Sequence, residues 1–132
     1  MTQSPIDEIA PTWGNIFKSE EEFLRVVDKH DQLIQQCAQG TITFKDFLRK
    51  YDGFYGYYAL DGHESDEDER SMFERYEGRI RPHEEIAQEI FQYLCSDEDA
   101  ARDIYIKAGR FGSIEGLRRL RIINQKHFGQ DD

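Results

Sequence analysis

Residues 51–69, YDGFYGYYALDGHESDEDE, concentrate the groups in this chain that could do chemistry. Five rings (Tyr51, Phe54, Tyr55, Tyr57, Tyr58) fall within eight positions, and six carboxylates (Asp61, Glu64, Asp66, Glu67, Asp68, Glu69) fall within the nine that follow Leu60. Such a stretch could serve as a metal loop, a protein-binding surface, or a core segment followed by a solvated helix start. A calcium loop of the EF-hand kind beginning at Asp61 needs oxygen ligands at its third and fifth places, Gly at the sixth and Glu at the twelfth. His63, Ser65, Asp66 and Met72 stand there, so three of the four places fail. Five rings exceed what one helical face can bury, so Tyr55 or Tyr57 is expected to reach water. Exposed tyrosines beside a dense acidic rim have the composition of a binding hot spot. The acids would steer a cationic partner and the rings would hold it. The partner-binding set expected on this ground is Tyr55, Tyr57, Asp61, Glu64, Asp66 and Glu67.

Other chemistry finds less support. His-Glu-x-x-His is absent, and PHEEIAQE offers no second ligand at helical spacing from His83. His30 lies on an apolar helical stripe between Asp28 and Asp31 and reads as a packed, hydrogen-bonded core residue. His63 and His127 are expected at the surface. Cys37 and Cys95 fall in apolar stripes with no local cation to stabilise a thiolate, which predicts buried, unpaired thiols rather than a disulfide or a nucleophile. Ser19, Ser65, Ser96 and Ser113 each read as helix caps. GRFGSIEG, residues 109–116, has the look of a phosphate loop but lacks the Lys-Ser/Thr pair and a preceding strand. The expectation is a protein that is not an enzyme and uses no cofactor or metal. A small metal-binding or enzymatic helical domain is one competing reading, and a homo-oligomer whose rings bury one another, such as a homodimer, is the other.

The elements that must position these residues are helical. Ser19 and Glu22 have capping-box spacing, and Phe23, Val26, Val27, His30, Leu33, Ile34 and Cys37 follow one helical face up to Gly40. Thr43 can cap a second helix with the stripe Phe44, Phe47, Leu48 and Tyr51. Its spacing runs on through Phe54, Tyr55 and Tyr58, but Gly53 and Gly56 each cost about 1 kcal/mol in a helix interior. One kinked helix through Leu60 and a two-helix break are equally compatible with residues 44–60. Ser65 or Asp66 caps the next helix, whose stripe is Met72, Phe73, Tyr76 and Ile80. Pro82 suits the first turn of the following one, which carries Ile86, Ile90, Phe91, Leu94 and Cys95. A helix from Ser96 to Gly109 would turn Ala100, Ile104, Tyr105 and Ala108 inward. The last, from Ser113, would bury Ile114, Leu117, Leu120, Ile123 and Phe128. With no sustained alternation of period two, the expected fold is all-α, a compact single-domain bundle of five to six helices over residues 19–128. Residues 1–18 form an N-terminal arm pinned to the core by Ile9, Trp13 and Phe17.

The chain has 132 residues and a net charge of −10. That length suits one domain. That charge disfavours direct nucleic-acid or membrane-surface binding and favours a partner with a basic surface. The first residues lack a cationic start and an apolar run, so no signal peptide is expected and a cytoplasmic protein is the default. Charge is uneven: residues 1–106 carry 24 acids and 11 bases, whereas residues 107–130 carry six bases and Glu115. The basic C-terminal helix is expected to pack beside the acidic body, the alternative being a patch of its own.

GTITFKDFLRKYDGFYGYY, the acidic segment after it, and the late EGLRRLR helix resemble small helical immunity proteins, which bind and neutralise nuclease bacteriocins such as the tRNA-cleaving colicins. The likeness rests on the Gly-x-Ile-Thr helix start, on Phe47 and Tyr51 at helical spacing, and on the acidic aromatic surface. It covers residues 40–77 and 115–121, and residues 78–110 have no counterpart. It implies an inhibitor whose acidic face covers a basic, RNA-binding active site, and it assigns no individual residue a role.

Overall fold

The first long helix is set by its two ends. The computed structural model describes residues 17–62 and 67–129. Ser19 caps α1 (Glu20–Ala38) by accepting the Glu22 N–H at 3.1 Å, and the Glu22 carboxylate reaches back to the Lys18 N–H at 2.7 Å. At the other end Gly40 adopts φ +87°. The Gly40 and Thr41 N–H groups fold back onto the Cys37 and Gln36 carbonyls, the Schellman arrangement that only a residue tolerant of positive φ closes without strain. Between these ends Phe23, Val27, His30, Leu33, Ile34 and Cys37 are buried, as their spacing predicts.

Thr43 caps α2 (Phe44–Tyr51) through the Asp46 N–H. The segment 44–60 is then two helices. Asp52 (φ +51°) and Gly53 (φ +61°) both turn left-handed, and the one-turn helix α3 (Phe54–Tyr57) follows. The break swings Phe54 into the core while Tyr57 stands 69% exposed. Tyr55 and Tyr58 are half-buried. The rings past Gly53 therefore do outnumber the interior places available to them.

Helices α4 (Glu67–Arg75) and α5 (Glu77–Ile86) meet at Tyr76, and α5 runs on into a π-turn over Ala87–Phe91. Pro82 is not in a first turn: it is the sixth residue of α5 and offers no N–H to the Gly78 carbonyl, which lies at an exposed position. The expected helix from Ser96 to Gly109 is also corrected. It is two short pieces, α6 (Asp97–Ala100) and α7 (Asp103–Lys107), separated where Arg102 is extended at ψ 137°. Ile104 is 69% exposed rather than inward, and Ala108 faces solvent. The physical reason is tertiary. The base of this excursion is pinned by the Cys95 N–H to the Phe111 carbonyl and the Phe111 N–H to the Tyr93 carbonyl. Asp97 is drawn off to cap the next helix through the Ser113 N–H (2.7 Å) and hydroxyl (2.9 Å). Cys95 is half-buried, Cys37 is buried, and both thiols are unpaired.

Helix α8 (Ser113–Phe128) packs along α1, α2 and α5 through Gly116, Leu120 and Ile123. Ile114, expected inward, is 87% exposed. The inward row begins at Gly116, where an added Cβ would stand 2.7 Å from Phe44 Cζ, and Ile114 lies about 200° round the helix from that contact. The result is an all-α fold around Phe23, Ile34, Phe47, Phe54, Ile86, Ile90 and Leu120, all wholly buried. Phe17, the last residue of the expected N-terminal arm's anchors, is buried against Phe23, Tyr58 and Phe73; Ile9 and Trp13 lie outside the described residues.

Candidate functional site

The left-handed pair at Asp52–Gly53 and the turn closed by the Leu60 N–H on the Tyr55 carbonyl bring the end of α3 over α4 and α5. Between them lies an open cleft of about 300 Å3. Leu60, Phe73 and Ile80, all buried, supply its apolar floor, and half-buried Tyr55 forms a wall. Asp61, Glu74, Glu77 and Glu84 bring four carboxylates to it, and Arg70 is the single cation lining it among the described residues. Glu77 also receives Arg81 at 2.9 Å. Burial, with the charges of Glu84 and Asp61 adding to it, pushes the Tyr55 phenol up to about 12. The hydroxyl therefore stays protonated and can donate. An apolar floor with an acidic rim is the shape and charge of a receptor for one long cationic side chain, whose methylenes would lie on the floor and whose head would meet the carboxylates.

Of the expected set, Tyr55 and Asp61 meet in this cleft. Tyr57 is exposed but stands outside the lining, its ring edge-on to Tyr58 at 5.0 Å. Glu67 is exposed in the first turn of α4. Glu64 and Asp66 lie outside the described residues. Sequence reasoning passed over Glu74, Glu77 and Glu84, which follow Arg70 at steps of four, three and seven residues across α4 and α5. That series runs beside the apolar pair Phe73 and Ile80, and it was the available signal.

A second constellation lies inside. The Tyr51 hydroxyl donates to His83 Nδ1 at 2.5 Å, and His83 Nε2–H donates to Asp31 Oδ1 at 2.7 Å. Arg79 closes the row, donating to Asp31 at 3.0 Å and to Asp28 at 2.5 Å. Burial holds the Tyr51 phenol well above its ordinary value, so it remains the donor and the imidazole hydrogen belongs on Nε2. The order hydroxyl, imidazole, carboxylate is that of a nucleophilic triad. Here His83 is 0% exposed and Tyr51 nearly so, and the row instead ties α2, α5 and α1 together through the core. His30 lies beside it, stacked on Phe54 at 3.8 Å with Nδ1–H donated to the Val26 carbonyl. It is the packed core histidine its stripe predicts. Burial pushes the Cys37 thiol up to about 11, far from a thiolate at neutral pH.

The basic helix partly satisfies the acidic body. Lys126 lies 3.0 Å and His127 3.1 Å from Glu85, and Arg119 lies over the Phe111 ring at 4.4 Å. His127, expected at the surface, is half-buried by this pairing. Among the described residues no group of three or more His, Cys, Asp or Glu could hold a metal ion, and no helix is long and apolar enough to cross a membrane. No family model matches the sequence, and neither a curated protein nor a solved structure gives a significant match.

Proposed function

We propose that the chain acts by binding another protein, without catalysis of its own, and that the cleft between α3, α4 and α5 receives a Lys or Arg side chain from a basic surface on that partner. The observation that carries this reading is the coincidence, at one opening, of four carboxylates with a floor of Leu60, Phe73 and Ile80. Tyr57 would add its exposed ring from the adjoining turn, and Asp61, Glu74, Glu77 and Glu84 would speed encounter with a cation. An inhibitor that covers a basic, RNA-binding active site, in the manner of the immunity proteins it resembles, is one form this activity takes.

The test starts from capture of partners by wild-type protein, followed by titration of the recovered partner against Tyr55→Ala, Tyr57→Ala and Glu77→Gln/Glu84→Gln variants. Loss of an anchoring ring costs about 2 kcal/mol, so either tyrosine variant should weaken binding about thirtyfold. The double charge variant should slow association and flatten its salt dependence. Equal recovery and equal affinity for all four proteins would remove the reading.

A further inference from the structure

Helix α8 carries two faces. The inward row is Gly116, Leu120 and Ile123. The outward row is Ile114, Leu117, Arg118, Arg121, Ile122 and Gln125, which line an open hollow of about 830 Å3 along the helix. Their steps of three, one, three, one and three residues keep all six on one side of a helix over about 16 Å of rise. Ile114 is 87% and Ile122 53% exposed. Single exposed apolar residues need no explanation, but apolar residues interleaved with two arginines along one helical face do.

The concentration is local. Of the six exposed large apolar residues among those described, Ile104, Ile106, Ile114 and Ile122 fall within nineteen positions of each other. Residues 102–126 hold seven bases and two acids in a chain whose net charge is −10. Neutralisation within the molecule is incomplete. Glu115 serves both Arg118 and Arg119, and Arg121 donates to the Ala38 carbonyl at 3.4 Å and to no carboxylate among the described residues.

We propose that this face of α8 is a second interaction surface, separate from the acidic cleft, and that its occupant is an acidic amphipathic helix of another protein. The regular ridge of α8 suits a helix laid along it, whose Leu or Ile residues would pack beside Ile114, Leu117 and Ile122. Glu or Asp residues interleaved with them would meet Arg118 and Arg121. A second copy fits poorly. Antiparallel pairing that set Ile114 on Ile122 would set Arg118 on its own symmetry mate, and each copy brings a net ten negative charges. An anionic lipid surface or a nucleic acid extends well past α8 and would meet the acidic body, which a single short helix laid on this face does not.

The experiment uses the full chain, labelled for amide NMR, titrated with a fourteen-residue helical peptide of Leu at three- and four-residue spacing and Glu elsewhere, and with its Lys-for-Glu counterpart. The acidic peptide should give saturable shifts along residues 114–125. Ile114→Glu/Ile122→Glu should weaken it at least tenfold, and so should Arg121→Glu. These side chains point to solvent, so unchanged circular dichroism is expected and verifies folding. Tyr55→Ala/Glu77→Gln should leave the acidic peptide's binding intact, so failure of the cleft reading and failure of this one are separable. Absence of saturable shifts on α8 would overturn the proposal. So would a wild-type dimer that Ile114→Glu/Ile122→Glu dissociates, which would make the occupant a second copy. A peptide site that opens only when residues 1–16 are deleted would equally overturn it, since the chain would then cover its own face.

Discussion

Replacing Tyr51 with Phe removes one oxygen and leaves the ring where it is. The packing of that ring against Phe47 at 4.7 Å, Phe54 at 5.8 Å and Phe91 at 5.8 Å survives. What is lost is the donor to His83 Nδ1, in a place where His83 is wholly shielded from water. A buried acceptor left without its partner costs about 1–3 kcal/mol. For a chain of this length that is a fall in Tm of about 4–12 °C, or a shift of the urea midpoint of about 0.5–1.5 M with the slope unchanged. Exposed Tyr57→Phe is the control and should change stability by less than about 0.5 kcal/mol. His83→Leu should cost more, about 3–5 kcal/mol, because it strands both the Tyr51 hydroxyl and one oxygen of buried Asp31. The double variant should fall short of the sum of the two singles by about 0.5–3 kcal/mol, since the residues form one row. The pH dependence gives an independent reading. The Tyr51 phenol is held well above its ordinary value of 10.0, so the unfolded chain ionises first as pH rises past 10 and the fold loses stability there. Phe cannot ionise, so the gap between wild type and Tyr51→Phe should narrow above pH 10. A Tyr51→Phe protein as stable as wild type at pH 7, or strict additivity with His83→Leu, would refute the claim that this row holds the core.

Three further outcomes follow from particular contacts. Burial, before any other influence, holds the His30 imidazole below its ordinary 6.5; the unfolded chain therefore takes up a proton first as pH falls through that value, and stability should decline by up to about 1.4 kcal/mol per pH unit, a slope that His30→Gln should flatten in thermal melts between pH 7 and 5.5. Gly116→Ala should destabilise by about 1–2 kcal/mol in urea titration although Ala is the better helix former, because its methyl would meet Phe44 at 2.7–3.0 Å. Asp97→Ala should lower the urea midpoint in the same assay and raise amide exchange in the first turn of α8, since Asp97 takes both the N–H and the hydroxyl hydrogen of Ser113.

Local signals in the chain carried the helical class, the limits of α1, the start of α2 and the histidine buried at position 30. Each depends on residues within a few positions of one another: Ser19 with Glu22, Thr43 with Asp46, and a 3.6-residue stripe that has one way to face the core. The surplus of rings after Gly53 was legible for the same reason, as a count set against the width of one helical face. Where the chain's reading went astray, distant contacts had decided. Residues 96–109 carry the spacing of one helix, yet Asp97 is taken up by Ser113 and the strand-like link at Phe111 holds the segment in two short turns. Ile114 looks apolar enough for the core, but the seat opposite Phe44 goes to Gly116, and that choice turns Ile114 outward. The carboxylates of the cleft come from α4 and α5 and meet Tyr55 only because the left-handed pair at Asp52–Gly53 folds α3 back over them. His83, set aside on spacing, is the hub of the interior because α1 and α2 deliver Asp31 and Tyr51 to its two nitrogens. Periodicity fixes which way a side chain faces along its own helix; which partner it meets across the molecule depends on how helices pack, and no local pattern in the chain encodes that.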